Sequence, residues 1–397
     1  MSSAHRSASG RKIGIKDRIA CYRWTYFTMT MATGGVANVL FSLSFSNDWL
    51  TGIGIFFMML NICLFLLNCV MISMRFYLRP GSFTRSFTDQ YELAVIMINI
   101  CQYGTDHVGN WLLRTMEIMF FIYAAVCVLA SAGIYLVLWS TLSVQLASRL
   151  LFPANSSAHN EKCDRVFPVH TMTPTWVFPA YPLLLTGPFA SQLIAASQRS
   201  SQLGLAINST AVALTAVTIQ GTGCLIAFMI SAAFIYRLMT QKLPRDTQRP
   251  GVFMSIGPFG FTAGSITQLG NQASAFIPPD FLDSPYTIDV FRIVSVLVGL
   301  WLWGLAAWFF LISVGSLWKY VRAGSSMPFQ MTWWSFVFPN TALITATGTL
   351  GEIFQNRGMH IATSVMAAAI IVVWIAVFLT MLRCLKNKTL LWPKNDT

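Results

Sequence analysis

The sequence predicts an all-α integral membrane protein, ten transmembrane helices arranged as five helical hairpins around a central pore. Three observations predict it. Hydrophobic residues make up 55% of the 397 and charged ones only 10%, whereas a soluble domain carries roughly 25% charged residues. Apolar stretches near the length that spans a bilayer, about 20 residues, alternate with short polar ones along the chain. The 26 Lys and Arg residues fall almost entirely into every second polar stretch, as they do when those stretches lie on the cytoplasmic side.

The first apolar stretch, 22–45, follows a basic, Ser-rich leader (1–21) with no signal-peptidase site, so it reads as a first span rather than a cleaved signal. Further spans are expected at 50–77, 89–105, 112–142, 174–196, 205–238, 251–271, 288–321, 331–350 and 359–385. Together 22–385 form one transporter domain, with a cytoplasmic loop at about 143–173 and a cytoplasmic tail at 386–397. All basic residues but Arg114, Arg199, Arg292 and Arg357 then lie on one side. Both termini are expected in the cytoplasm, and a wrong span count would have scrambled this asymmetry. The formal net charge of +12 is thereby explained without a nucleic-acid partner. Of the eight cysteines all but Cys163 lie in or beside the apolar spans, and none has CxxC spacing. They read as free thiols rather than as metal ligands or a disulfide scaffold.

Span character alternates by parity. The even spans are long and rich in Phe, Leu, Ile, Val and Met. The odd ones are shorter and hold the Gly, Pro and small polar residues: MATGG (Met31 to Gly35) in the first, Pro179, Pro182, Gly187 and Pro188 in the fifth, SIGPFGFTAGS (Ser255 to Ser265) in the seventh, and Phe338-Pro339-Asn340 in the ninth. Proline removes a backbone donor and frees a carbonyl, which hydrocarbon does not tolerate unless protein or water satisfies it. The odd helices are therefore expected inside, kinked and lining the pore, with the even ones outside. The third span is the exception, marked by Asn99, Gln102 and Gly104.

The chemistry available excludes most enzymes. The five histidines are scattered, and no HExxH, GxSxG or paired carboxylates lie at membrane depth, so neither catalysis, a metal nor a cofactor is expected. The odd spans supply hydroxyls and amides, and Thr33, Ser255, Thr262, Gln268 and Thr345 are the candidate pathway residues. A lumen without carboxylates does not repel anions, and broken helices turn backbone amides toward them. Arg75 and Arg79, below the second span, are candidates for attracting anions from the cytoplasm, against a plain anchoring role.

Several segments carry a resemblance. YFTMTMATGG in the first span, QYGTDHVGNWL (102–112), MTPTWVFPAYPLLLTGP (172–188), PGVFMSIGPFGFTA (250–263), FQMTWWSFVFPNTALITAT (329–347) and LLWP (390–393) resemble, in order, the tellurite-resistance/dicarboxylate transporter family. They are most similar to its fungal malic-acid transporter branch. The resemblance implies a homotrimer in the plasma membrane with one pore per subunit, and C4-dicarboxylates such as malate and succinate as substrates, carried by proton symport. A passive anion channel or sulfite efflux protein on the same scaffold is the alternative. It also implies a gate at Phe338, in the motif WWSFVFP, against the plainer reading of an aromatic packed beside a proline. His107, Asp106, Glu92 and Glu352, near the span ends, are the candidates for proton coupling. The branch carries a His-Pro pair before its third span where this sequence reads SFTDQYELAV, so coupling is expected to differ here.

Overall fold

Two populations of helix alternate along the chain. The computed structural model describes residues 14, 18–19, 21–22, 24–43, 48–78, 92–104, 110–139, 172–200, 207–278, 281–321 and 327–391, and no strand occurs among them. The helices are α1 Thr28–Phe41, α2 Asp48–Leu78, α3 Glu92–Tyr103, α4 Asn110–Trp139, α5 Thr186–Ser200, α6 Ser209–Gln241, α7 Ile256–Asn271, α8 Thr287–Ser316, α9 Phe338–Ile353 and α10 Arg357–Lys386. The even-numbered five are long and apolar enough to cross a membrane. At 31 residues, α2 extends about 45 Å. Their large apolar side chains stand exposed, among them Phe56, Leu129, Leu225, Trp301 and Val365. In water such a surface would be untenable; against lipid it costs nothing.

The odd-numbered helices are shorter and almost wholly buried. They form a closed ring in the order α1, α3, α5, α7, α9 and back to α1, and each packs against the long helix that follows it. The polar residues of the chain are thus gathered inside, and the apolar ones shield them.

Four of the inner helices are preceded by 3-10 turns: Trp24–Phe27, Pro174–Ala180 with Leu183–Leu185, Asp246–Ser255 and Met331–Phe336. The segments expected as the first turns of spans five, seven and nine are therefore 3-10 rather than α-helical. Pro179 and Pro250 lie inside two of these segments, where a missing N–H breaks the i→i−4 ladder and the tighter i→i−3 turn takes over. The chain bends by 72° between Pro174–Ala180 and Leu183–Arg199.

Small residues set how closely the ring closes. An ideal Cβ on Gly260 would lie 2.9 Å from the backbone nitrogen of Leu343 and 3.0 Å from the carbonyl carbon of Ala342. One turn on, a Cβ on Gly264 would lie 3.4 Å from Cα of Ala346. Gly260 and Gly264 thus let α7 rest on the backbone of α9, the small-xxx-small packing common in membranes. Gly35 does the same for α1 against Thr341 of α9, at 2.7 Å from its Oγ1.

Candidate functional site: the axis of the inner ring

Solvent accessibility inside the ring picks out a few polar positions. On α1, Asn38 is the one half-buried residue between Met31 and Leu40; on α9, Thr345 is the one between Phe338 and Leu350. On α7 only Ile266 and Gln268 are half-buried between Ile256 and Gly270. On α5 the half-buried Pro188 and Ala195 fall in one helical stripe with Gln192 and the exposed Arg199, because residues three and four apart share a face.

These positions are bonded to one another across the ring. Gln102 Nε2 on α3 donates to Asn38 Oδ1 on α1 at 2.5 Å, and Asn38 Nδ2 donates to Thr345 Oγ1 on α9 at 3.3 Å. A second amide pair joins α5 to α7, with Gln192 Nε2 donating to Gln268 Oε1 at 3.3 Å. Hydroxyls and carboxamides of this kind solvate an anion by donation and a cation by their oxygens, without a fixed charge of their own.

A group of aromatic rings packs where α9 begins. Phe338, the first residue of α9, is only 3% exposed. Its centroid is 5.2 Å from that of Phe261 on α7 and 5.7 Å from that of Tyr181 in the bend before α5. Tyr181 is anchored by its hydroxyl, which donates to the Met254 carbonyl at 2.7 Å. The close approach needs Gly257, whose Cβ would collide with the Tyr181 hydroxyl. Three elements thus each contribute one ring to the cluster.

The expected pathway residues divide by where their side chains point. Gln268 and Thr345 belong to the amide positions just described. Thr33 is fully buried and accepts a hydrogen bond from Trp374 Nε1 of α10 at 3.1 Å. Thr262 accepts from Gln220 Nε2 of α6 at 2.9 Å. Both hydroxyls thus face the outer layer, and each also donates to its own helix four residues back, to the Met29 and Pro258 carbonyls. Ser255 is fully buried and donates to the Val252 carbonyl at 2.6 Å, inside its own 3-10 turn.

Among the charged candidates, Arg75 is half-buried in the last turn of α2, on the outer layer. Glu352 is exposed in the last turn of α9, seven residues beyond Thr345 and so on its face. Next to it, Gly351 packs against the ring of His360 of α10, 3.5 Å from where its Cβ would lie. Glu92 opens α3; its side chain, and Arg79, Asp106 and His107, lie outside the described residues.

Five participants were not among the pathway candidates: Asn38, Gln102 and Gln192, which the sequence shows only as polar marks on odd spans, and Tyr181 and Phe261, which look like ordinary apolar filler. The stripe 188, 192, 195, 199 was legible in principle, because an Arg and a Gln seven apart share a helix face. Gln220 was hidden by its place on an outer helix, yet its Oε1 accepts from the Gly187 N–H at 3.0 Å and its amide grips Thr262.

Comparison with known proteins agrees with this architecture. Residues 22–382 match the sequence profile of the voltage-dependent anion channel (SLAC1) family. A malic acid transport protein of Schizosaccharomyces pombe is 23% identical over 97% of this chain and 83% of its own length. A putative malic acid transport protein of the same yeast is 24% identical over 98% of this chain and 85% of its own. An uncharacterized transporter of Methanocaldococcus jannaschii is 25% identical over 34% of this chain and 35% of its own.

Proposed function

Because the chain belongs to the voltage-dependent anion channel family, we propose that it is a secondary transporter of C4-dicarboxylates, malate first and succinate and related acids with it. The membrane setting and an anionic solute follow from the family and from the apolar outer helices. The finer reading places all ten helices across the plasma membrane as five hairpins, both termini cytoplasmic, in a proton-coupled homotrimer. The observation that carries it is the inner ring: amides and hydroxyls of α3, α1 and α9 bond one another, those of α5 and α7 do likewise, and no carboxylate lies in the middle of any of these five helices. The malic acid transport relatives supply the substrate class.

The physics of the substrate fits such a lining. Near neutral pH malate is mostly a dianion, and stripping water from two carboxylates in a low-dielectric passage is costly. Donor groups at Asn38, Gln102, Thr345, Gln192 and Gln268 would offset part of that cost, and a proton more. In this reading Phe338 is the gate. Its support is the packing of its ring against those of Tyr181 and Phe261. Glu352, on the Thr345 face, is the described acid best placed for proton coupling.

The test is uptake of radiolabelled malate into liposomes under an imposed pH gradient, with sulfite and chloride as competitors. Saturable accumulation that follows the gradient is expected. No uptake above protein-free vesicles would sink the malate assignment. The second reading, a passive anion channel or sulfite efflux protein, is favoured by the family's name and by the ring cluster at Phe338. Single-channel currents without dependence on the proton gradient would decide for it.

A further inference from the structure

Three carboxamides lie buried where α1, α2 and α3 pack on one another. Asn61 of α2 and Asn99 and Gln102 of α3 are each 1% exposed. Asn61 and Asn99 meet at Gly34 of α1, whose Cβ would collide with Asn61 Nδ2 and lie 3.0 Å from Asn99 Nδ2. Gln102 stands one turn on from Asn99 on the same face of α3, as Asn38 does from Gly34 on α1. The Tyr103 hydroxyl donates to the Ala37 carbonyl at 2.8 Å and ties these two helices together at this level. Among the described residues, Asn61 Oδ1, both polar side-chain atoms of Asn99 and Gln102 Oε1 have no hydrogen-bond partner. Buried polar atoms are paired with protein or with ordered water, and a membrane interior makes the alternative costlier.

These atoms terminate the amide chain of the pathway, and that chain has a direction. Thr345 Oγ1 donates to the Thr341 carbonyl of its own helix at 2.9 Å, so toward Asn38 it accepts. Asn38 therefore gives its Nδ2 to Thr345 and its Oδ1 to Gln102, which meets it with Nε2. The Gln102 oxygen is what remains. A carboxamide turned by half a rotation exchanges oxygen and nitrogen with little change of shape, so the direction depends on what holds that last oxygen. The unpartnered set is mixed and uncharged: one amide nitrogen and three oxygens. A desolvated anion asks for donors alone, and a metal ion for oxygens alone. Water donates and accepts, and a buried water makes about three such bonds.

We propose that Asn61, Asn99 and Gln102 hold ordered water between α1, α2 and α3, and that this water fixes the direction of the Gln102–Asn38–Thr345 chain. Asn61 and Asn99 are then positioning residues. They act through the water on Gln102, and through Gln102 on the half-buried Asn38, which keeps its second N–H for a passing anion. This last step rests on the transport reading above; the hydration site does not.

The wild-type protein in lipid, imaged by cryo-electron microscopy at a resolution that shows ordered water, tests the site. Water density within hydrogen-bond distance of Gln102 Oε1 and of the Asn99 carboxamide is expected. Amides bonded directly to one another with no density among them would overturn the site, and density that does not reach Gln102 would overturn the positioning. Malate uptake into liposomes then compares wild type with Asn61→Leu, Asn99→Leu and Asn99→Ser. KM in either Leu variant should rise about three- to tenfold with kcat within about twofold. Asn99→Ser keeps a donor and an acceptor and leaves room for water, so its KM should stay near wild type. A merely structural role predicts a lower folded yield or thermal midpoint with KM unmoved in every variant that folds, and that pattern would also overturn the positioning. If neither Leu variant folds, the density at Gln102 decides. Should the wild type move sulfite or chloride but no malate, the same comparison is made on that anion. No anion flux of any kind removes the transport reading, while the density still decides the site.

Discussion

Phe338 and Gln220 illustrate how a single side chain acts in this fold. The Phe338 ring is wedged between Tyr181 and Phe261, so its removal should open the axis without disturbing the amides around it. Phe338→Ala is expected to raise basal anion flux about tenfold, the effect of lowering a barrier by about 1.4 kcal/mol. Flux and ion preference both unchanged in liposomes would make it a packed aromatic beside a proline and nothing more. Gln220 works through stability instead. Its carboxamide accepts from Gly187 N–H and donates to Thr262, tying α6 to both α5 and α7. Gln220→Leu strands a buried N–H, which costs about 1–3 kcal/mol, and should lower the thermal midpoint in detergent while leaving substrate preference as it was.

At the scale of elements, the contact between α7 and α9 is the least forgiving. The neighbours of Gly260 are backbone atoms, and backbone cannot swing aside as a flexible side-chain end can. Gly260→Val should therefore push α7 off α9 and destabilise by about 1–3 kcal/mol or more. Gly221→Val on α6 meets nothing within 4 Å and is the control. Equal thermal midpoints for the two variants would show that the crossing is looser than the geometry says. Two long helices were legible to within two residues, 50–77 as Asp48–Leu78 and 359–385 as Arg357–Lys386, while 205–238 is found as Ser209–Gln241 and 288–321 as Thr287–Ser316. The short ones were placed well but misjudged in kind, because Pro179 and Pro250 convert their first turns to 3-10 structure. Hydropathy averages over a window and does not see which hydrogen-bond ladder a proline leaves behind.

Across the whole molecule, charge among the described residues of the ten helices is confined to the first and last turns or so of each. Beyond them Asp246, which begins the 3-10 segment before α7, bonds Lys319 Nζ at 2.9 Å beyond α8 and lies 3.4 Å from Arg249 Nε. Hydrogen bonds from Lys319 first, with the Tyr320 hydroxyl and the Arg249 charge nearby, hold its carboxyl below the usual range. A depressed carboxylate stabilises the fold above its unfolded pKa of about 3.9 and loses that contribution as pH falls through the folded value. The clasp is solvent-exposed, so the effect should be small. The wild type should keep a level thermal midpoint from pH 5 to 8 and lose a little below pH 4, a loss absent from Asp246→Asn. A variant as acid-sensitive as the wild type would assign the loss to another group.

Composition and spacing by themselves determined that this is a helical membrane protein in which long apolar helices alternate with shorter, more polar ones. Solvent decides that much: lipid demands apolar surface and satisfied backbone, and both leave their mark in one dimension. They also pointed to Gln268, Thr345 and Phe338. Only the tertiary structure decided which way each polar side chain turns. Thr33 and Thr262 sit on lining helices yet bond outward to Trp374 and Gln220, while Asn38, Gln102 and Tyr181 meet their partners near the axis. A helix has two buried faces when it is ringed on one side and shielded on the other. Periodicity tells buried from exposed, but only a partner helix tells one buried face from the other.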